Sequence, residues 1–315
     1  MASAGAGALA NPIDVVENYV LTDAARARDV PLKIYYPQQP RPGGYPVVIF
    51  SHGAGGSKDG YGYLGRFWAE NGYVVIHPDH IGSDRAILKS GPILAAMKAA
   101  IVDTSNLVNR PLDISFVIDS LPSIEGALPQ LRDRMDRTRI GVAGHSFGAY
   151  TAMAVAGAVI HLPGGHTRNF GDTRIRAFMA MSPQGPGAVG FSADSWVAIT
   201  RPMLTISGSE DRELGGGSPS ERLLPFKHMP PGGKFHVTVT GVTHMDFGDR
   251  RMDGSAPPEK YHEFIKRVGL AFWDTALRDD DPTAAGFMRC LGVEDVADDG
   301  GALTGAGAEG ALKSK

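Results

Sequence analysis

The sequence predicts a single α/β domain, with a mostly parallel central sheet and helices on both faces. Three observations lead there. Short apolar runs such as Val47-Val48-Ile49-Phe50 and Tyr73-Val74-Val75-Ile76 recur along the chain, as strands buried on both faces require. Helical stretches separate them, so successive strands are joined by crossovers. The 315 residues are enough for one large domain, and no linker or internal repeat divides them.

The elements follow in order. Residues 19–22 and 30–36 read as an early strand pair ahead of a Pro/Gly-rich turn at 37–46. Strand 47–50 comes next, then a helix at 63–70 that Asn71-Gly72 ends, then strand 73–76. Residues 109–121 read as a helix, with Pro111 tolerated in its first turn. Strand 140–143, helix 150–160 and strands 177–181, 203–207 and 235–240 complete the alternation. The last helix, 259–277, places Tyr261, Phe264, Ile265, Val268 and Phe272 on one face. Segments 82–106, 157–174 and 212–234 exceed a minimal connection and are expected as substrate-side loops. Residues 1–18 are expected to be flexible, 19–290 to form the domain, and the Gly-, Ala- and Asp-rich tail 291–315 to be disordered.

Composition narrows the function classes. The net charge is −3 and no dense Lys/Arg run exists, which argues against a nucleic-acid partner. No stretch of about 18 apolar residues exists, so no membrane span is expected. Cys290 is the one cysteine, so no intrachain disulfide forms. Residues 1–10 lack the basic start and Leu-rich run of an intact signal peptide. The reading is a soluble protein, cytoplasmic or secreted with its signal removed, and its oligomeric state is left open.

Gly144-His145-Ser146-Phe147-Gly148 matches G-x-S-x-G, with a strand before it and a small-residue helix after it. Such a serine sits on a strained strand-to-helix turn, and side chains two residues either side would strike neighbouring backbone. Ser146 is therefore the candidate nucleophile. Acyl transfer also needs donors aimed at the developing oxyanion. The Phe147 N–H opens the helix and is one candidate. The other is the Ala54 N–H, in the loop Phe50-Ser51-His52-Gly53-Ala54-Gly55-Gly56 after an earlier strand.

The chain order for such a site is Ser, then an acid, then His. Asp211 follows strand 203–207 directly and is the favoured acid; Glu210 and Asp194 are its competitors. Of ten histidines, His244 follows the last strand and precedes the last helix, which makes it the candidate base. All roles are filled without a cofactor. A rival reading takes His77, Asp79 and His80 as metal ligands of a metal-dependent hydrolase, although zinc needs three or four convergent ligands and no second cluster stands out. A third reading is a catalytically inactive fold kept for binding. The aromatics Tyr61, Tyr63, Trp196 and Phe247 are expected to line the substrate site, since they fall near the C-terminal edge of the sheet. With no Arg/Lys cluster beside them, they suit a neutral ester, small or polymeric.

Four segments carry a family resemblance: 50–56, 71–80 with its His77-Pro78-Asp79-His80, 144–148, and Gly241-Val242-Thr243-His244. Over roughly residues 30–277 the chain resembles the serine-dependent, dienelactone-hydrolase-like branch of the α/β-hydrolase superfamily. It is similar to plasma-type platelet-activating-factor acetylhydrolases, and more distantly to chlorophyllases and cutinase-like polyester hydrolases. The resemblance implies a cofactor-free serine esterase. Two departures stand out. True dienelactone hydrolases use a cysteine nucleophile where this chain has Ser146. The acetylhydrolases carry their acid after the strand preceding 203–207, where this chain has Ser182-Pro183-Gln184. That difference implies Asp211 as the acid, as in the polyester hydrolases, and argues away from a phospholipid substrate.

Overall fold

The structure is a computed structural model that describes residues 11–89, 91–213, 216–279, 281–291, 302–305 and 308–315. The chain opens with an antiparallel pair, β1 (Ile13–Asp23) and β2 (Arg28–Pro37). Then come β3 (Tyr45–Ser51), α1 (Gly62–Glu70), β4 (Val74–Pro78), α2 (Ile93–Val102), α3 (Thr104–Ala127), β5 (Met135–His145) and α4 (Phe147–Ala156). A small hairpin, β6 (Val159–Leu162) with β7 (His166–Asn169), precedes β8 (Ile175–Met181) and β9 (Met203–Glu210). The chain ends with α5 (Leu224–His228), β10 (Lys234–Thr243), α6 (Glu259–Trp273), α7 (Ala284–Leu291), β11 (Ala302–Gly305) and β12 (Ala308–Ser314).

Among the described residues ten strands form one sheet in the order β1-β2-β4-β3-β5-β8-β9-β10-β12-β11. Neighbours from β4 to β10 pair in parallel, and the pairs at both edges are antiparallel. Alternation along a strand sends successive side chains to opposite faces. Val47 and Ile49 of β3 thus join α3 and α4 in one core, while Val48 and Phe50 join α1, α6 and α7 in the other. Both faces are covered, as a parallel sheet requires.

The predicted elements are present, with instructive differences at their ends. The helix expected at 109–121 begins at Thr104, where the Asp103 side chain accepts the Ser105 N–H as a cap. Pro111 therefore lies inside α3 rather than in its first turn. A proline there leaves the carbonyl four residues back without its helical partner. The Tyr150 hydroxyl fills that place, donating to Leu107 O at 2.7 Å. The long segment 82–106 holds α2, the segment 157–174 holds the β6–β7 hairpin, and 212–234 holds α5.

The tail expectation is corrected in part. β12 lies antiparallel to β10 with Val237 opposite Leu312, and the Lys315 carbonyl accepts the Lys234 N–H. An open strand edge offers a row of unpaired donors and acceptors, which outweighs the disorder-like composition. Residues 292–301 and 306–307 of that tail lie outside the described residues. At the other end β1 already starts at Ile13, and the Asn11 N–H binds Glu70 O, so residues 11–18 are not the flexible stretch expected. Residues 1–10 lie outside the description. Among the described residues no helix is long and apolar enough to cross a membrane.

Candidate active site

The C-terminal ends of five neighbouring strands converge on one place. β3 delivers the Ser51–Gly56 loop, β5 delivers Ser146, β8 Ser182, β9 Asp211 and β10 His244. Ligands bind at this edge of α/β sheets.

Ser146 joins β5 to α4 with φ 55° and ψ −119°, a conformation that side-chain-bearing residues rarely adopt. Its N–H donates to Met181 O at 3.0 Å, which ties the turn to β8. The flanking glycines are forced by space. A Cβ on Gly144 would stand 2.2 Å from Gly148 O, and one on Gly148 would stand 1.9 Å from Ser51 O.

His244 Nε2 lies 3.0 Å from Ser146 Oγ, and its Nδ1 lies 2.9 Å from Asp211 Oδ1. Thr243 and Asp246 cap the short turn that carries His244, each side chain bonding the other's backbone or side chain. Asp211 is fully buried. Burial alone would raise its carboxyl, but the hydrogen bond and charge of His244, the Arg222 guanidinium and the Ser182 hydroxyl outweigh burial and hold it below the usual carboxylate value. Glu210 is exposed, and Asp194 is exposed and bound to the Ser192 hydroxyl.

Sequence reasoning passed over two residues at this site. Ser182 directly follows β8 at φ 55°, with Oγ 3.0 Å from Asp211 Oδ1 and 2.8 Å from His244 Nδ1. It occupies the strand end where the resembling acetylhydrolases carry their acid. Its signal was present, as the first residue past a predicted central strand, but a search for acids skips a serine. Arg222 is buried, with Nε 3.3 Å from Asp211 Oδ1, and Nη1 3.1 Å from both Glu213 Oε1 and Pro183 O. It comes from the segment 212–234, in which the sequence singles out no residue.

Ser146 and His244 border a cavity of about 320 Å³. Lys98, Gln184, Glu213 and Arg222 supply its polar lining. Ile101 and Val102 of α2, with Ala188 and Val189, line its apolar part. Gly53 lies beside the nucleophile: a Cβ there would be 3.4 Å from Ser146 Cβ. Ala54 follows Gly53 in the Ser51–Gly56 loop, and the buried Phe147 follows Ser146 at the start of α4.

The predicted substrate aromatics are placed differently. Trp196 is fully buried, its indole N–H pointing at Met153 Sδ and its ring packed against Phe191. Phe247 is buried and stacks on His145, whose ring is 4.8 Å from that of His244. Tyr63 stacks on His262 at 3.8 Å and donates to Phe247 O. Tyr61 donates to, or accepts from, His145 Nδ1 at 2.8 Å and lines an adjoining cleft beside Ala54. None of the four lines the cavity at Ser146; Tyr61 and Phe247 pack on His145, which packs on His244, and Tyr63 holds the Phe247 carbonyl. Large aromatics are worth most when buried, and packing took them.

The residues of the metal reading diverge. His77 Nδ1 meets Gly60 O, Asp79 accepts the Lys58 N–H, and His80 lies between Ser51 and Asp113. Among the described residues no three His, Cys, Asp or Glu side chains are grouped to hold a metal ion.

The fold is matched by a solved structure, a ferulic acid esterase from Streptomyces cinnamoneus, with a TM-score of 0.62 over 87% of this chain and 94% of that one. This chain has the α/β-hydrolase fold. The sequence identity across that match is 22%, so the likeness speaks to the fold. A family model described as platelet-activating factor acetylhydrolase, isoform II, matches residues 5–90. That stretch of the hydrolase fold includes the Ala54 loop but ends before Ser146. Among curated proteins, the platelet-activating factor acetylhydrolase of Canis lupus familiaris is 29% identical over 245 residues, covering 65% of this chain and 48% of that protein. The platelet-activating factor acetylhydrolase of Cavia porcellus is 21% identical over 288 residues, covering 75% of this chain and 62% of that protein. The chain thus spans about half to three-fifths of the length of these relatives.

Proposed function

We propose that the chain is a serine esterase that hydrolyses neutral carboxylic esters through an acyl-enzyme. One observation carries the reading: His244 bridges Ser146 and a buried Asp211 at the mouth of a cavity, with Ser146 on a strained turn. The esterase and acetylhydrolase activities named for its relatives support it.

In this reading Ser146 Oγ attacks the ester carbonyl while His244 Nε2 takes its proton. Asp211 accepts the Nδ1–H, which sets the tautomer, and stabilises the imidazolium that forms. Ser182 donates to the same carboxylate oxygen. The Arg222 guanidinium keeps that carboxylate ionised. The Ala54 and Phe147 amides receive the oxyanion. His244 then protonates the leaving alkoxide, and water, activated by the same imidazole, cleaves the acyl-enzyme. The cavity suits a small ester with a short-to-medium acyl chain. Wild-type protein should take a fluorophosphonate label that maps to Ser146, and S146A should take none. Labelling elsewhere, or none in the wild type, would overturn the reading.

A further inference from the structure

Arg110, on α3, is fully buried, and no ion pair joins it among the described residues. Asp113, one turn further on, is engaged by Arg26, Arg28 and His80 instead. Arg110 spends its donors on the loop that carries Ala54. Nη2 donates to His52 O at 2.8 Å and lies 3.5 Å from Gly53 O. Nε donates to Ser83 Oγ at 2.9 Å and Nη1 to Thr151 Oγ1 at 3.2 Å, with Ser51 Oγ at 3.4 Å. The face of the guanidinium lies over Phe147, 4.3 Å from the ring centroid.

We propose that Arg110 is a positioning residue for the oxyanion hole, holding the Ala54 and Phe147 amides in one fixed frame. The proposal rests on the reading of those two amides as the oxyanion donors. The Gly53 carbonyl is gripped from several sides. His52 Nε2 accepts the His80 N–H, which places the ring proton on Nδ1; Nδ1 donates to Gly53 O at 2.7 Å, and Arg110 Nη2, 3.2 Å from the same nitrogen, therefore serves the carbonyls rather than the ring. The Gly56 N–H donates to the same oxygen at 3.1 Å, and Arg110 closes the set. A trans peptide is planar, so its N–H points opposite to its C=O. Pinning Gly53 O on the Arg110 side turns the Ala54 N–H the other way, out of the buried network. The cation–π contact fixes the Phe147 ring, and with it the first turn of α4.

The charge matters as well as the grip. A guanidinium without a carboxylate partner leaves net positive charge behind the place where negative charge develops, and a fixed charge of that kind needs no reorganisation during reaction. Burial lowers the Arg110 pKa, to about 9, so the group is still charged at neutral pH.

The test uses R110M and R110K with p-nitrophenyl butyrate, a trifluoromethyl ketone as a probe of the tetrahedral oxyanion, and an unreactive amide as a probe of ground-state binding. For R110M, kcat should fall about 10²-fold with KM within about twofold, the size of losing one oxyanion donor. Affinity for the trifluoromethyl ketone should fall in parallel, and amide binding should hold. R110K should lose at least about tenfold in kcat, because one ammonium cannot span the loop, Thr151 and Phe147 as the planar fork does. It carries the test if R110M does not fold. A purely structural role would lower Tm without this split. A folded variant that keeps kcat within about threefold, or loses amide and ketone affinity equally, overturns the proposal. A54P, which removes the donor itself, separates the two ideas. If A54P is fully active, the reading of Ala54 fails; if A54P is crippled and the Arg110 variants are not, the positioning role alone fails. In the A54P background R110M should cost less than it does alone, since both act through one amide.

Discussion

Two Ser–His–Asp chains run along this sheet, and their bond lengths are nearly the same. His244 stands 3.0 Å from Ser146 and 2.9 Å from Asp211. His80 stands 2.9 Å from Ser51 and 2.9 Å from Asp113. Their surroundings differ. Ser51 is the last residue of an ordinary strand, fully buried, and Arg26 and Arg28 hold the Asp113 carboxylate. Burial lowers the His80 imidazole to about 4, so it stays neutral. Ser146 instead sits on a strained turn, borders a cavity, and has Gly53 close beside it. A hydrogen-bonded chain of the right residues is thus not enough for catalysis. Access to a cavity and a strained turn are what set the Ser146 group apart from the sealed one.

The largest expected effect separates the two serines. S146A should lower kcat by at least about 10³-fold with the fold intact, because no other group forms the acyl-enzyme. S51A should keep kcat within about tenfold and instead lose about 1–3 kcal/mol of stability, since His80 and Arg110 lose a buried partner. Urea titration and steady-state rates on both variants check this; a dead S51A with wild-type stability would break the comparison.

The two acids come next. D211N should cost on the order of 10²–10⁴ in kcat through loss of imidazolium stabilisation. D113N leaves Arg26, Arg28 and His80 without their carboxylate and should cost about 3–5 kcal/mol of stability. Ser182 sharpens the point. S182D placed in a D211S background should recover at least about tenfold over D211S alone, because its side chain already reaches His244 Nδ1. No recovery from a folded double variant would mean the β8 strand end cannot present an acid to His244.

The strand ends were legible in the sequence, because their signals are local. Gly144 and Gly148 are needed by the turn itself, and an acid or histidine just past a buried run declares its place. Asp211 and His244 come just past β9 and β10 and meet at 2.9 Å. The aromatics were not legible, because whether a ring faces a cavity or a core is decided by elements far apart in the chain. Trp196 packs on Met153, which is 43 residues away. Arg222 and Arg110 were hidden for the same reason: an arginine reads as surface until its partners are known. The sealed chain was invisible, since Ser51, His80 and Asp113 come from two strand ends and a helix with no motif joining them.

Acid should destabilise the fold through imidazoles buried in the sealed region, beside the open site and on β10. Burial lowers the imidazoles of His52, His77, His80, His145 and His236, to about 4 for His77 and His80 and about 3 for His236. The unfolded chain takes these protons near the ordinary value of 6.5. Between pH 6.5 and 4 the unfolded state therefore binds more protons, so stability rises with pH and is lost as pH falls through that window. The urea midpoint should be steady above pH 7 and drop steeply between pH 6 and 4.5, with a shallower drop in H236Q. A midpoint unchanged down to pH 5 would show that these groups titrate normally in the folded protein.

The smallest expected effect concerns the acyl chain, and it too has a counterpart on the sealed side. The cavity at Ser146, about 320 Å³, lies at the small end of the range for small-molecule sites. Val189 and Val102 both line its apolar part, so an acyl chain bound there should touch them. p-Nitrophenyl acetate and butyrate should be cleaved better than palmitate. V189A removes two methyl groups from one wall and should raise the hexanoate-to-butyrate ratio of kcat/KM several-fold, the scale of about one methylene in an apolar pocket. I114A, in the core on α3 beside the sealed chain, should cost about 2–5 kcal/mol of stability and leave that ratio unchanged. If V189A folds and the ratio does not move, the acyl chain lies elsewhere, and the cleft beside Ala54 and Tyr61 becomes the place to look. If I114A moves the ratio as much as V189A does, chain-length preference reports general loosening of the fold rather than the shape of this wall.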